Sequence, residues 1–174
     1  MATFAVTDSK GYTHALNVVE DSYDIASNTS QVSYSYTLTS GAYNGFSQYG
    51  IEWGIWINGE CVMYHSWVSA EYTCRKGGNM IVFGSGTVTI QHGADGKKSI
   101  DCYAKIVRLD SASYTPIVGT QPGGTLKLTD IPRGAAFIDN GETFGRYQCY
   151  IDNGSSFDLY IPYIDNGSSW DLLS

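Results

Sequence analysis

The feature that most constrains this chain is a repeated alternation of apolar and polar residues. In "QVSYSYTLTS", Val32, Tyr34, Tyr36 and Leu38 fall on one face of an extended chain, with Ser33, Ser35 and Thr37 on the other. A period of two is the signature of a half-buried β-strand. The pattern returns in "IEWGIWING", where Ile51, Trp53, Ile55 and Ile57 form the inner set and Glu52, Trp56 and Asn58 the outer. "GECVMYHSWVS", "GTVTIQH", "SIDCYAKIVRL" and "GTLKLTDI" continue it, and Asp95-Gly96 in "GADGKK" reads as a hairpin turn between two of these strands. No segment sustains a helical period. Twenty glycines against four prolines, with 14% aromatic residues, fit many short strands joined by tight turns. The expectation is an all-β protein. Over residues 1–130 it should form an antiparallel β-sandwich, immunoglobulin-like or jelly-roll-like, with strands near 30–39, 50–57, 87–93 and 99–108.

Beyond "TDIPRGAAF" the texture changes. Ile138, Ile151 and Ile164 each open Ile-Asp-Asn-Gly at a spacing of 13 residues, and six positions later stand Phe144, Phe157 and Trp170. Such an internal repeat sets the architecture of its segment. Each unit divides into an Asn-Gly turn and a strand, which predicts a short repeat β-meander over 138–174 behind a linker at 131–137. A stack of parallel coils would set Asp152 over Asp165, and like charges disfavour that arrangement.

Charge and length exclude several functions. Ten basic residues against seventeen acidic ones leave a net charge of −7, which argues against nucleic-acid partners. No apolar run approaches the ~20 residues of a membrane span, so membrane insertion is not expected. "MATFAVTDSKGYT" lacks the basic end and apolar centre of a signal peptide, so synthesis in the cytoplasm is expected. Cys61, Cys74, Cys102 and Cys149 fit no zinc-ribbon or redox spacing. Cys61 and Cys74 could meet across a hairpin, but all four are taken as structural thiols.

"NVVEDSYDIASNTSQVSYSYTLTS", "VTIQHGADGKKSIDCYAKI" and "LTDIPR" occur here in that order, followed by the "YIDNGSSWDL" repeats. This arrangement resembles minor structural and tail fibre proteins of siphophages that infect Gram-positive bacteria. The resemblance implies a virion component near the tail tip or fibre, built of β-sandwich modules; contacts with other tail proteins and a homo-oligomeric state are expected. It also implies a place in host-surface recognition, with host cell-wall polysaccharide as the partner. It implies no defined site.

Read from the residues, a saccharide site needs flat aromatic faces and nearby amides or carboxylates. Trp56 on the outer face, with Glu52 and Asn58, meets that description, and Tyr103 is out of phase with buried Ile100, Cys102 and Ala104. In the repeats, Phe157, Tyr160, Tyr163 and Trp170 alternate with Asp and Asn. They serve equally as the small core of a segment with little else to bury, and that reading is favoured there. Asp152, Asp158, Asp165 and Asp171 are hard oxygen ligands but lack calcium-loop spacing, so no metal and no cofactor are expected. Catalysis is not expected: no Gly-x-Ser-x-Gly occurs, and His92 beside "GADG" reads as a turn-bonding residue. Glu52 and Glu60 near Trp53 and Trp56 form the one carboxylate pair worth locating.

Overall fold

The computed structural model describes residues 1–110, 114–132, 135–139, 144–152, 157–160, 163–165 and 170–172, with backbone assignment alone for 48–49, 69–71 and everything past 132. These residues form thirteen strands and no helix. The first eight are β1 (Ala2–Thr7), β2 (Thr13–Asp24), β3 (Thr29–Thr39), β4 (Phe46–Ile57), β5 (Glu60–Cys74), β6 (Met80–Gln91), β7 (Ser99–Leu109) and β8 (Gly123–Lys127). They make two four-stranded sheets, ordered β1-β2-β3-β6 and β5-β4-β7-β8. All four strands of the second sheet pair antiparallel. Eight strands in two sheets is the count of a jelly roll rather than the seven of a constant-type immunoglobulin domain.

The chain divides into two compact units. The first comprises Met1–Ser22, Gln31–Thr89 and Ser99–Leu128, and its core follows the alternation of the sequence. Val32, Tyr34, Tyr36 and Leu38 of β3 are buried, as are Ile51, Trp53, Ile55 and Ile57 of β4 and Ile100, Cys102, Ala104 and Ile106 of β7. Rings from both sheets meet between them. Tyr36 lies 4.9 Å from Phe83 and 6.4 Å from Trp53, and Trp53 lies 5.8 Å from Phe83, centroid to centroid. Tilted and edge-on contacts of this kind suit the ring quadrupole.

One sequence expectation needs correction here. "GADGKK" does form a tight turn, with the Gly96 N–H donating to Gly93 O (2.9 Å) and φ of 74° at Gly96. It does not close a hairpin, however: β6 and β7 belong to different sheets, so the turn carries the chain across. Cys61 and Cys74 are not on facing strands. Both lie on β5, Cys61 exposed at one end and Cys74 buried at the other, roughly 40 Å apart along the strand.

A polar cluster is buried in the first unit. Asp8 Oδ1 accepts from the backbone N–H of Lys10 (2.9 Å) and Tyr12 (3.0 Å), and Oδ2 accepts from Ile117 N–H (2.8 Å). His14 is fully buried, its Nδ1 2.9 Å from the Tyr36 hydroxyl and its Nε2 3.5 Å from Asp8 Oδ2. Burial lowers the His14 pKa from its ordinary 6.5, an effect that the nearby Asp8 partly offsets. Folded His14 therefore binds fewer protons than unfolded His14 as the pH drops below about 6.5. Its contribution to stability is complete above that pH and is lost on acidification through the window down to the folded pKa. Urea midpoints should fall between pH 7.5 and pH 5, and His14→Gln should reduce the slope. An unchanged slope in the variant would place the effect elsewhere.

The second unit comprises Tyr23–Ser30, Ile90–Lys98 and Thr129–Ser174. His92 is its buried hub. Its Nδ1–H donates to Gly96 O (2.9 Å), which leaves Nε2 to accept from the Ser30 hydroxyl (2.8 Å). This is the turn-bonding role read from the sequence. The Ser–His pair cannot meet a substrate as it stands, because Ser30 is 0% and His92 5% exposed.

The repeats form β9 (Ala135–Asp139), β10 (Phe144–Asp152) and β11 (Phe157–Tyr160), an antiparallel three-stranded meander, and a separate hairpin of β12 (Tyr163–Asp165) and β13 (Trp170–Leu172). β9 begins three residues before the first Ile-Asp-Asn-Gly. Each repeat closes the same way: Asp139 faces Phe144, Asp152 faces Phe157, and Asp165 faces Trp170 across four intervening residues. β11 ends and β12 begins on either side of Ile161-Pro162, where proline has no N–H to give a ladder. Positive φ at Asn140, Asn153 and Asn166, or at Gly141, Gly154 and Gly167, is expected from Asn-Gly chemistry; these positions lie outside the described residues.

Candidate functional site

The outer face of the β5-β4-β7-β8 sheet gathers the aromatic residues that the sequence placed outside. Trp56 and Tyr103 face one another in the β4–β7 register. Their rings stack at 5.0 Å with an interplanar angle of 10°. That spacing matches the separation of neighbouring strands, so the two rings stand side by side on adjacent strands. Gly54 makes this possible. A Cβ there would lie 2.5 Å from Trp56 Cη2 and 2.8 Å from Cζ3, so the indole fills the space of the missing side chain. Lys105, opposite Gly54, places Nζ 5.3 Å from the Trp56 ring centroid and 6.0 Å from that of Tyr103. A cation over exposed rings contributes about 0.5–1 kcal/mol.

Along the sheet, the Tyr64 hydroxyl donates to Glu52 Oε1, and this bond raises the Tyr64 pKa above its ordinary 10.0. Arg108, opposite Glu52, stacks its guanidinium 4.2 Å from the Trp67 ring. On the other side of Tyr103 the β8 residue in register is Gly123. Gly123 is exposed and brings no side chain of its own to that flank; a Cβ there would lie 2.7 Å from Tyr103 Cβ. Beside it, Thr125 Oγ1 donates to Asp101 Oδ1 (2.6 Å), and both residues are exposed. The result is an aromatic pair with glycine in register beside it, and carboxylates, a hydroxyl and an ammonium around it. Such a face can take the C–H surface of a sugar ring and bond its hydroxyls.

The sequence-predicted residues divide. Trp56, Tyr103 and Glu52 share this face, each part-buried. Asn58 does not lie on the strand face. It has φ of 53° and Gly59 has φ of 82°, a two-residue Asn-Gly hairpin turn between Ile57 and Glu60. Its N–H donates to Asp101 O (2.8 Å). Turn geometry accounts for Asn58, and its contribution is to fix the register that aligns Trp56. Glu60 pairs with Ile57 at the end of the hairpin, roughly 16 Å along the strand from Glu52. Carboxylate pairs in glycoside cleavage stand about 5–9.5 Å apart. Phe157, Tyr160, Tyr163 and Trp170, like Asp152, Asp158, Asp165 and Asp171, are placed by backbone register alone; their side chains lie outside the described residues. Tyr64, Asp101, Lys105 and Gly123 were not singled out from the sequence. Strand register brings them to the site, and only the alternation of β7, with Asp101, Tyr103 and Lys105 on one face, signals it.

The profile of the family described as "Siphovirus protein of unknown function (DUF859)" matches residues 1–156. The chain belongs to this siphovirus family. The match spans the whole sandwich, including the strands that carry Trp56 and Tyr103, and ends inside the second repeat. No curated protein and no solved structure matches this siphovirus protein.

Proposed function

We propose that this siphovirus protein is a non-enzymatic structural component of the phage tail. It contributes to host recognition by binding cell-surface glycan on the outer face around Tyr103 and Trp56. Membership of a siphovirus family supports a phage particle as its setting. The stacked Trp56–Tyr103 pair with glycine in register beside it, next to Asp101 and Thr125, is the observation that carries the glycan reading. In cosedimentation with purified host cell-wall polysaccharide, Tyr103→Ala and Trp56→Ala should each weaken binding at least tenfold. Each loses an aromatic contact of about 0.5–1.5 kcal/mol in stability, so the melting point should drop by only a few degrees. Undiminished binding by both variants would sink the proposal, and release of sugar products by the native protein would make it an enzyme.

A second reading is purely architectural. β5 and β6 are sheet edges, and Tyr64, Val68, Met80 and Val82 on them are 49%, 48%, 58% and 52% exposed. Apolar edges of this kind suit burial against a neighbouring subunit. Altered sedimentation of Val68→Asp or Val82→Asp, with polysaccharide binding intact, would favour that reading.

A further inference from the structure

At the far end of β4 from Trp56, roughly 30 Å away along the strand, the first unit carries an open pocket of about 610 Å³. Phe46 and Cys74, paired across β4 and β5 and both buried, line it together with Gly45, Ser47 and Thr73. Tyr43 and Tyr114 also line it and are 92% and 67% exposed, unusual for large rings with no burial to gain. Arg75 and Lys76, adjacent in sequence, complete it.

This pocket is firmly built. Gly45 lies so close to the Cys74–Lys76 backbone that a Cβ there would be 2.6 Å from Lys76 N and 2.7 Å from Cys74 O. Ser40 Oγ–H donates to Arg75 O (2.5 Å), Arg75 N–H donates to Asn79 Oδ1 (3.1 Å), and Gly77 N–H donates to Gly41 O (2.9 Å). Tyr12 donates its hydroxyl to Tyr114 O, which ties the opposite wall down. The loops that present the four rim side chains are therefore anchored by hydrogen bonds to their backbone, three made by side chains and one by Gly77 N–H.

The rim chemistry selects its occupant. In a chain of net charge −7, two cations stand side by side. Among the described residues, no carboxylate pairs with either Arg75 or Lys76. Two exposed phenol rings face the same space. Cations that fork onto an anionic group, beside aromatic faces that take an apolar ring surface, are complementary to a charged sugar. The volume is that of a small-molecule site. We propose that this pocket binds a saccharide unit carrying a phosphate or a carboxylate. The proposal goes beyond the glycan reading of the Trp56–Tyr103 face and does not depend on it.

NMR titrations of the full chain with glucose 1-phosphate, glucuronate, glucose and inorganic phosphate test it. Glucose 1-phosphate, glucuronate or both should give saturable shifts, at least tenfold tighter than glucose. Arg75→Ala combined with Lys76→Ala should weaken that binding at least tenfold, and raised salt should mimic the variant. Tyr43→Ala should abolish the preference for glucose 1-phosphate over inorganic phosphate. All of these residues are exposed, so melting points should stay near the native value. Inorganic phosphate binding as tightly as the charged sugars would overturn the proposal in favour of a bare anion site. The absence of any saturable titration, or native-like titration by the double variant, would overturn it outright. Binding lost in Tyr103→Ala but kept in the double variant would assign the ligand to the sheet face and overturn the pocket.

Discussion

Trp53→Ala is expected to lower the unfolding free energy by about 3–5 kcal/mol, whereas Trp56→Ala, three residues along the same strand, should cost only about 1 kcal/mol. Trp53 is 2% exposed, packed against Tyr36 and Phe83, stacked 5.5 Å from His65, and donates Nε1–H to the Tyr72 hydroxyl (3.0 Å). Its removal leaves a cavity at the junction of the two sheets. Neighbouring rings cannot collapse into that space without breaking their own contacts. Thermal scans should separate the two variants by roughly 10 °C for a chain of this size. Equal losses would mean that the two faces of β4 have been assigned wrongly, and with them the candidate site.

Asp8→Ala should be nearly as damaging, by at least about 3 kcal/mol. The Asp8 side chain is 1% exposed, and its carboxylate holds three backbone N–H groups, two in the β1–β2 turn and one at Ile117. Alanine strands all three donors. Asp8→Asn, which keeps one carbonyl acceptor, should recover part of the loss. Chemical denaturation of the two variants checks this, and a cost near zero for alanine would mean that water replaces the carboxylate without penalty. The contact with Ile117 also predicts faster amide exchange there in Asp8→Ala, measurable by hydrogen exchange.

Much of the sandwich was written in the alternation. The expected strands at 30–39, 50–57, 87–93 and 99–108 lie within or overlap β3, β4, β6 and β7, because burial on one face demands period two whatever the strand's partner. Partnership was not legible. Asp95-Gly96 looked like a hairpin because local turn chemistry is the same whether the chain returns to its own sheet or crosses to the other. The true two-residue hairpin, Asn58-Gly59, was read as the end of a strand face and its asparagine as a ligand residue. For the site, the outward phase of Trp56 and Tyr103 was visible, but their stacking was not. It depends on the β4–β7 register and on the empty place at Gly54, neither of which a single strand reveals. Tyr43, Arg75, Lys76 and Tyr114 come from three loops distant in sequence, and only the fold draws them to one pocket.

The identical closure of the three repeats has a consequence on a different timescale. Each 13-residue unit carries the same turn closure, with Asp facing an aromatic residue across four intervening residues, and neighbouring closures are joined through shared strands such as β10. Gain or loss of one 13-residue unit would carry one whole Asp-to-aromatic turn closure with it. Lineages of this phage protein should then differ in length in whole units, so that selection can tune how far the segment reaches without first having to invent a new fold.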